Sequence, residues 1–157
     1  MKSIKLLLIG LLAACACAAC GSGSSEETPG PQTGGGTVVG EWHLVSWSSL
    51  SAADVYLSLA ENGTFELYQR LTKPVYEHFD GTYRYADGTL SGVYGDGVAW
   101  GASYRVSFGA DGSQMPLTAG ADDVAVFVKA AIPEEIRSGE LGAKASARTS
   151  EEAPRFL

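Results

Sequence analysis

Between residues 38 and 130 apolar and polar side chains alternate with a period of two, in short runs closed by turn residues. Tyr83 and Tyr85 alternate with Thr82 and Arg84. Tyr104, Val106 and Phe108 alternate with Ser103, Arg105 and Ser107, and Phe65 and Leu67 share a face, as do Val124, Val126 and Val128. A period of two is the signature of a strand with one buried face. The pattern predicts eight strands, at about 38–48, 54–60, 64–71, 75–85, 89–95, 102–108, 113–118 and 123–130. Asn62-Gly63 between two such runs predicts a type I′ hairpin turn, whose central residues both need positive φ. Asp80-Gly81, Asp87-Gly88, Asp96-Gly97 and Asp111-Gly112 repeat that chemistry and are expected to be turns as well. Before Ile132 no stretch carries a helical stripe. Pro133-Glu134-Glu135 predicts a short helical turn capping one barrel end, with its acids near the positive pole.

Short, evenly spaced strands joined by tight turns favour an all-β fold, a small eight-stranded antiparallel up-and-down β-barrel, because closure removes exposed sheet edges. Alternation places Trp42, Leu44, Leu57, Leu59, Phe65, Leu67, Tyr83, Tyr85, Leu90, Tyr94, Tyr104, Val106, Val126 and Val128 inside. Side chains of this bulk favour a filled interior over a roomy cavity. The tyrosine hydroxyls in that set need hydrogen-bond partners when buried, and a polar-tipped mouth is one way to supply them. The glycine-interleaved stretch from Tyr94 to Trp100 is the candidate mouth or partner-facing loop; its plain alternative is a connection with Trp100 packed over the barrel end.

The ends of the chain add the cellular context. Met1 to Lys5 is basic and Leu6 to Ala14 is apolar or small, too short for a spanning helix but right for a secretory signal. Leu12-Ala13-Ala14-Cys15 resembles the bacterial lipobox, which implies cleavage before Cys15 and acylation of that cysteine; Cys20 is the alternative, with a leader of 1–19 in place of 1–14. Cys15, Cys17 and Cys20 are the chain's three cysteines, so neither a disulfide framework nor a Cys/His metal site is expected in the domain. Residues 15–37, rich in Gly, Ser, Thr and Pro, read as a lipidated flexible tether, residues 38–136 as the barrel, and residues 137–157 as a tail without regular structure. Of 157 residues, 11 are basic and 18 acidic; loss of Lys2 and Lys5 with the leader leaves 9 basic, a net charge near −9. Such a surface repels phosphate backbones, which argues against nucleic acid as a partner.

The succession Gly40-Glu41-Trp42-His43-Leu44-Val45-Ser46-Trp47, Glu61-Asn62-Gly63-Thr64-Phe65, Tyr76-Glu77-His78-Phe79-Asp80-Gly81-Thr82-Tyr83, Trp100-Gly101-Ala102-Ser103-Tyr104 and Ile132-Pro133-Glu134-Glu135-Ile136 resembles the small lipocalin-like domains of bacterial envelope lipoproteins. Gly40-Glu41-Trp42 is similar to the lipocalin Gly-x-Trp signature, whose Trp packs at the closed barrel end. The resemblance implies the fold and no established activity.

Chemistry-bearing residues are sparse. His43 and His78 are the two histidines, and neighbours on a strand such as Glu77 and His78 point to opposite faces, so no acid/base group, catalytic residue, metal ligand or cofactor is expected. The leading expectation is a non-catalytic outer-membrane lipoprotein of the cell envelope that binds a small apolar or amphipathic ligand. Its candidate contacts are Trp42, Leu57, Phe65, Leu67, Tyr83, Tyr94, Trp100, Tyr104 and Val126. The alternative expectation is an accessory protein docking an envelope partner through the barrel exterior or the Trp100 loop.

Overall fold

The computed structural model describes residues 36–139, the backbone of 142–144, and residues 154–157. The leader, Cys15, Cys20 and nearly all of the tether lie outside the described residues. The strands are β1 (Gly40–Trp47), β2 (Asp54–Leu59), β3 (Thr64–Arg70), β4 (Tyr76–Ala86), β5 (Thr89–Tyr94), β6 (Tyr104–Val106), β7 (Gln114–Ala119) and β8 (Asp123–Lys129). A helical turn, α1 (Glu134–Arg137), and a short strand, β9 (Gly142–Lys144), follow. Each of the first seven strands pairs antiparallel with the next, and β1 pairs with β8, so the sheet closes as an eight-stranded up-and-down barrel.

Three of the turns share one design. Residues 61–63, 95–97 and 110–112 each end on a glycine with positive φ (Gly63 81°, Gly97 89°, Gly112 69°). In each, the preceding Asn62, Asp96 or Asp111 side chain accepts the N–H two residues ahead, at 2.9–3.1 Å. The first two are three-residue loops with one left-handed position and the third is one residue longer, closed by the Gly109 N–H on the Gln114 carbonyl, so Asn62-Gly63 is not the two-residue type I′ turn that the dipeptide suggested. Asp87-Gly88 is the true type I′ case, with φ of 51° and 72° at its two residues. Asp80-Gly81 is no turn at all: it lies inside β4, the longest strand. A Cβ on Gly81 would lie 2.2 Å from the Val93 carbonyl oxygen and 2.8 Å from the Phe65 ring, so glycine is there for close approach.

The core is the barrel interior. Ten of the fourteen residues assigned inward are buried in it, among them Trp42, Leu57, Leu67 and Leu90 at 0–1% exposure. Tyr83 borders it. Val126 and Val128 are corrected: β8 buries Ala125 and Phe127, and the valines take the opposite, half-buried face. Both parities of β8 are apolar, so alternation could not choose between them. Tyr85 is also corrected. It has inward parity but lies past the last β3–β4 pair, Thr64 with Thr82, and stands 36% exposed. A bulge between Leu44 and Ser46 throws Val45 outward and turns Trp47, rather than Ser46, toward the core.

Trp42 Nε1–H donates to the Val38 carbonyl at 2.8 Å, and Lys129 on β8 stands 5.4 Å from the Trp42 ring. The helical turn does not cap a barrel end. Ile132 and Ile136 pack on Tyr68 and Tyr76, which alternate with inward residues and so face outward. Arg137 pairs with Glu41 and with Glu66, and Glu41 accepts the Ile132 N–H at 2.8 Å, which ties α1 to the outer wall. Beside it, Asp54 accepts from Tyr76 at 2.6 Å and Arg70 at 2.8 Å and lies 3.0 Å from His43 Nε2. Burial works to raise the Asp54 carboxyl, but these partners outweigh it and hold the group below its ordinary value.

Candidate functional site

The barrel has two ends. One carries the loops at 60–63, 87–88 and 107–113; the other carries those at 48–53, 71–75, 95–103 and 120–122. At the second end β4 runs beyond β5: Tyr76 to His78 pair in parallel with β9 on one edge, and Glu77 and His78 pair with β3 on the other. This ninth strand falls in the stretch expected to lack regular structure.

The same stretch supplies the main surprise. Residues 154–157, Pro-Arg-Phe-Leu, enter the barrel from an exposed Pro154 through a half-buried Arg155 to Phe156 and Leu157, which are only 5% and 3% exposed and part of the core. The assignment of 137–157 to a structureless tail is therefore corrected for 142–144 and 154–157; the rest of it lies outside the described residues.

The interior grips this segment by its backbone. Gln69 follows Phe65 and Leu67 on the inward face of β3 and is fully buried. Its Nε2 donates to the Pro154 carbonyl at 2.7 Å, and its Oε1 accepts the Phe156 N–H at 2.8 Å. Tyr94 donates to the Leu157 carbonyl at 2.7 Å and Tyr104 to the Phe156 carbonyl at 3.3 Å. The side chains have their own seats. Phe156 meets Trp47 and Phe127 edge to face, with ring centroids 4.8 and 5.5 Å apart. The Arg155 guanidinium lies over Tyr94 at 4.5 Å and Phe79 at 5.2 Å, and both of its terminal nitrogens meet the Asp96 carboxylate in the mouth loop. That pairing holds the Asp96 carboxyl below its ordinary value.

The candidate ligand contacts sort accordingly. Trp42, Leu57, Phe65, Leu67, Tyr94, Trp100 and Tyr104 share one core, of which Tyr94 and Tyr104 hydrogen-bond the segment. Tyr83 borders that core, its hydroxyl donating to the Ala60 carbonyl at 2.8 Å. Val126 is outside, for the reason given above. Trp100 is no exposed partner-facing residue: it is 6% exposed, lies against Gly92 and meets Phe65 edge to face at 5.1 Å. Its indole N–H has no partner among the described residues. Gln69, Trp47, Phe79 and Phe127 were not foreseen. Gln69 was detectable as a polar residue continuing an inward alternation, which demands a partner for its amide.

Energetically the segment is weakly held. Burying Phe156 and Leu157 contributes about 1.5–3 kcal/mol each, and four hydrogen bonds add about 0.5–1.5 kcal/mol each. Ordering four residues costs about 1–2 kcal/mol per residue. The midpoints of these ranges leave about 2–3 kcal/mol in favour of the seated segment, less than a global stability of about 5–15 kcal/mol.

Burial also pushes the two phenols up, Tyr104 to about 12 and Tyr94 in the same direction. A raised folded value means that these groups favour the fold at neutral pH, where both states keep the proton. Above pH 10 the unfolded chain ionises first, and stability is lost as pH rises toward the folded values. Chemical denaturation at pH 8, 10 and 11.5 is expected to show a falling midpoint over the last interval; Tyr94→Phe with Tyr104→Phe is expected to reduce the fall, and the remainder belongs to the other raised phenols, Tyr76 foremost.

Other chemistry is thin. His78 stacks on Tyr68 on the outer face, while Glu77, opposite Gln69, takes the inward parity, so β4 separates the two. Among the described residues no three His, Cys, Asp or Glu side chains converge as a metal site requires. A shallow groove of about 330 Å³ on the wall of β2–β4 is lined by Ser58, Thr64, Glu66, His78 and Asp80 among others. Comparison of the chain with protein-family models, curated proteins and solved structures finds no match.

Proposed function

We propose that this chain is a lipid-anchored, non-catalytic binding protein of the cell envelope, with a lipocalin-like barrel that takes a small apolar or amphipathic ligand into the space filled by residues 154–157. One observation carries the reading: an apolar interior presents Gln69, Tyr94 and Tyr104 to a segment outside the barrel wall rather than to the wall itself. A few converging polar groups in an apolar cleft are what a ligand site requires. The anchor on Cys15, or Cys20, places such a site beside the outer membrane, where two or more acyl chains hold stably.

A fluorescent fatty acid titrated into the full chain in detergent tests the ligand. Saturable binding that Leu67→Trp abolishes is expected; a folded chain with no saturable binding overturns it. Palmitate labelling that survives Cys20→Ser and is lost with Cys15→Ser tests the anchor.

The alternative, a docking protein, is favoured by Val93 near the end of β5 and Val98 in the mouth loop, which stay 41% and 44% exposed. Under this reading the partner meets these valines and not the Trp100 ring. Photo-crosslinking from position 98 in intact cells tests it, and recovery of no partner counts against it.

A further inference from the structure

Gln69, Tyr94 and Tyr104 make four hydrogen bonds to residues 154–157, and all four fall on main-chain atoms. Gln69 bonds the carbonyl of one residue and the N–H of the residue two further on, which is how a neighbouring strand reads an extended chain. A fatty acid meets Gln69 Oε1 only through the hydroxyl of its protonated carboxyl, and its carboxylate offers acceptors alone. A peptide offers both donor and acceptor. Side-chain selection is laid over this: Asp96 with the Tyr94 and Phe79 rings takes a cation, Trp47 and Phe127 take an aromatic ring, and the core takes a large aliphatic residue.

From these contacts we infer that the barrel interior is a peptide-binding site, for an extended segment with a cation followed by two large apolar residues, and that residues 154–157 are its built-in competitor. The inference rests on the interior being a ligand site and names the ligand class. Among the described residues, none of the sheet's pairings includes 154–157, so the segment leaves without breaking the barrel. Departure alone strands Gln69, Tyr94 and Tyr104 in an apolar interior, which is unfavourable. Replacement by another peptide restores every bond. The expected process is therefore exchange rather than opening, and the tethered segment, at an effective concentration of about millimolar, sets the level an incoming peptide must overcome.

The test uses the full chain and a fluorescein-labelled peptide, Ala-Pro-Arg-Phe-Leu. In the double variant Phe156→Asp, Leu157→Asp the internal competitor no longer fits, and the peptide is expected to bind at least about tenfold more tightly than to the parent, as removal of a competing population requires. A peptide with Glu in place of Arg is expected not to bind, and Gln69→Leu in the variant background is expected to weaken binding by about tenfold or more. A variant with parent-like circular dichroism and no peptide binding overturns the inference. A fluorescent fatty acid run in parallel separates the failures: binding of the fatty acid without the peptide overturns the peptide inference alone, and binding of neither by the folded variant overturns the ligand site as well. Should the variant not fold, hydrogen exchange in the parent decides. Millimolar unlabelled peptide is expected to accelerate exchange of the Phe156 amide and not that of Leu67, and no acceleration overturns the inference.

Discussion

Gln69→Leu is expected to expel residues 154–157 from the barrel while the eight strands remain. Leucine has about the volume of glutamine and suits the surrounding core, so the wall itself loses little. The segment loses two hydrogen bonds, and seating it would now bury the Phe156 N–H without a partner, while the Pro154 carbonyl lies at the exposed end of the segment. An unsatisfied buried group costs about 1–3 kcal/mol, and the two lost hydrogen bonds about 0.5–1.5 kcal/mol each, which together match or exceed the few kcal/mol that hold the segment. Hydrogen exchange reads the result: the Phe156 amide is expected to lose its protection, and amides of β2 and β3 to keep theirs. Retained protection at Phe156 would show that the segment is held by something other than the Gln69 clamp.

The second large effect belongs to the wall. Gly81→Val is expected to abolish folding or to destabilise by more than about 4 kcal/mol, a size reached only where strain or overpacking cannot relax. The added Cβ would sit 2.2 Å from the Val93 carbonyl oxygen and 2.8 Å from both Tyr94 Cα and the Phe65 ring. Two of those three neighbours are backbone of the adjacent strand, which cannot swing aside as a side chain can. β5 would have to part from β4 where Gly81 pairs with Tyr94, beside the phenol that holds Leu157. Gly88→Ala is the control. Space around Gly88 is open, and only its φ of 72° opposes a side chain, so a cost of about 1 kcal/mol is expected. Denaturation midpoints of the two variants check the contrast.

These cases show where sequence reading succeeds and where it stops. Period-two runs such as Phe65-Leu67 and Tyr104-Val106 have a single apolar parity, and closing turns at Asp87-Gly88 and Asp96-Gly97 separate them, so the count and antiparallel order of the eight barrel strands and most of the core were legible, while the parallel β9 was not. β8 was not, because Val124, Val126 and Val128 compete with Ala125 and Phe127 for the inside and the winner is set by pairing with β1. Trp47 escaped because a bulge reverses parity after Leu44, and nothing local in Leu44-Val45-Ser46 announces one. Asp80-Gly81 carries turn chemistry, yet its glycine is required by a neighbouring strand distant in sequence. The seated segment was the hardest, since four residues have no period. Its trace lay elsewhere, in polar atoms on Gln69, Tyr94 and Tyr104 that face inward and need partners the barrel wall does not supply.

Occupation of the barrel by residues 154–157 underlies both the ligand reading and the peptide inference. It is tested most directly by selective methyl labelling of leucine and measurement of nuclear Overhauser contacts from Leu157 in the full chain. Strong contacts from its methyls to the rings that surround the seat, Tyr94 and Tyr104 among them, are expected. Random-coil shifts and no ring contacts for Leu157, in a chain whose sheet is intact, would contradict it.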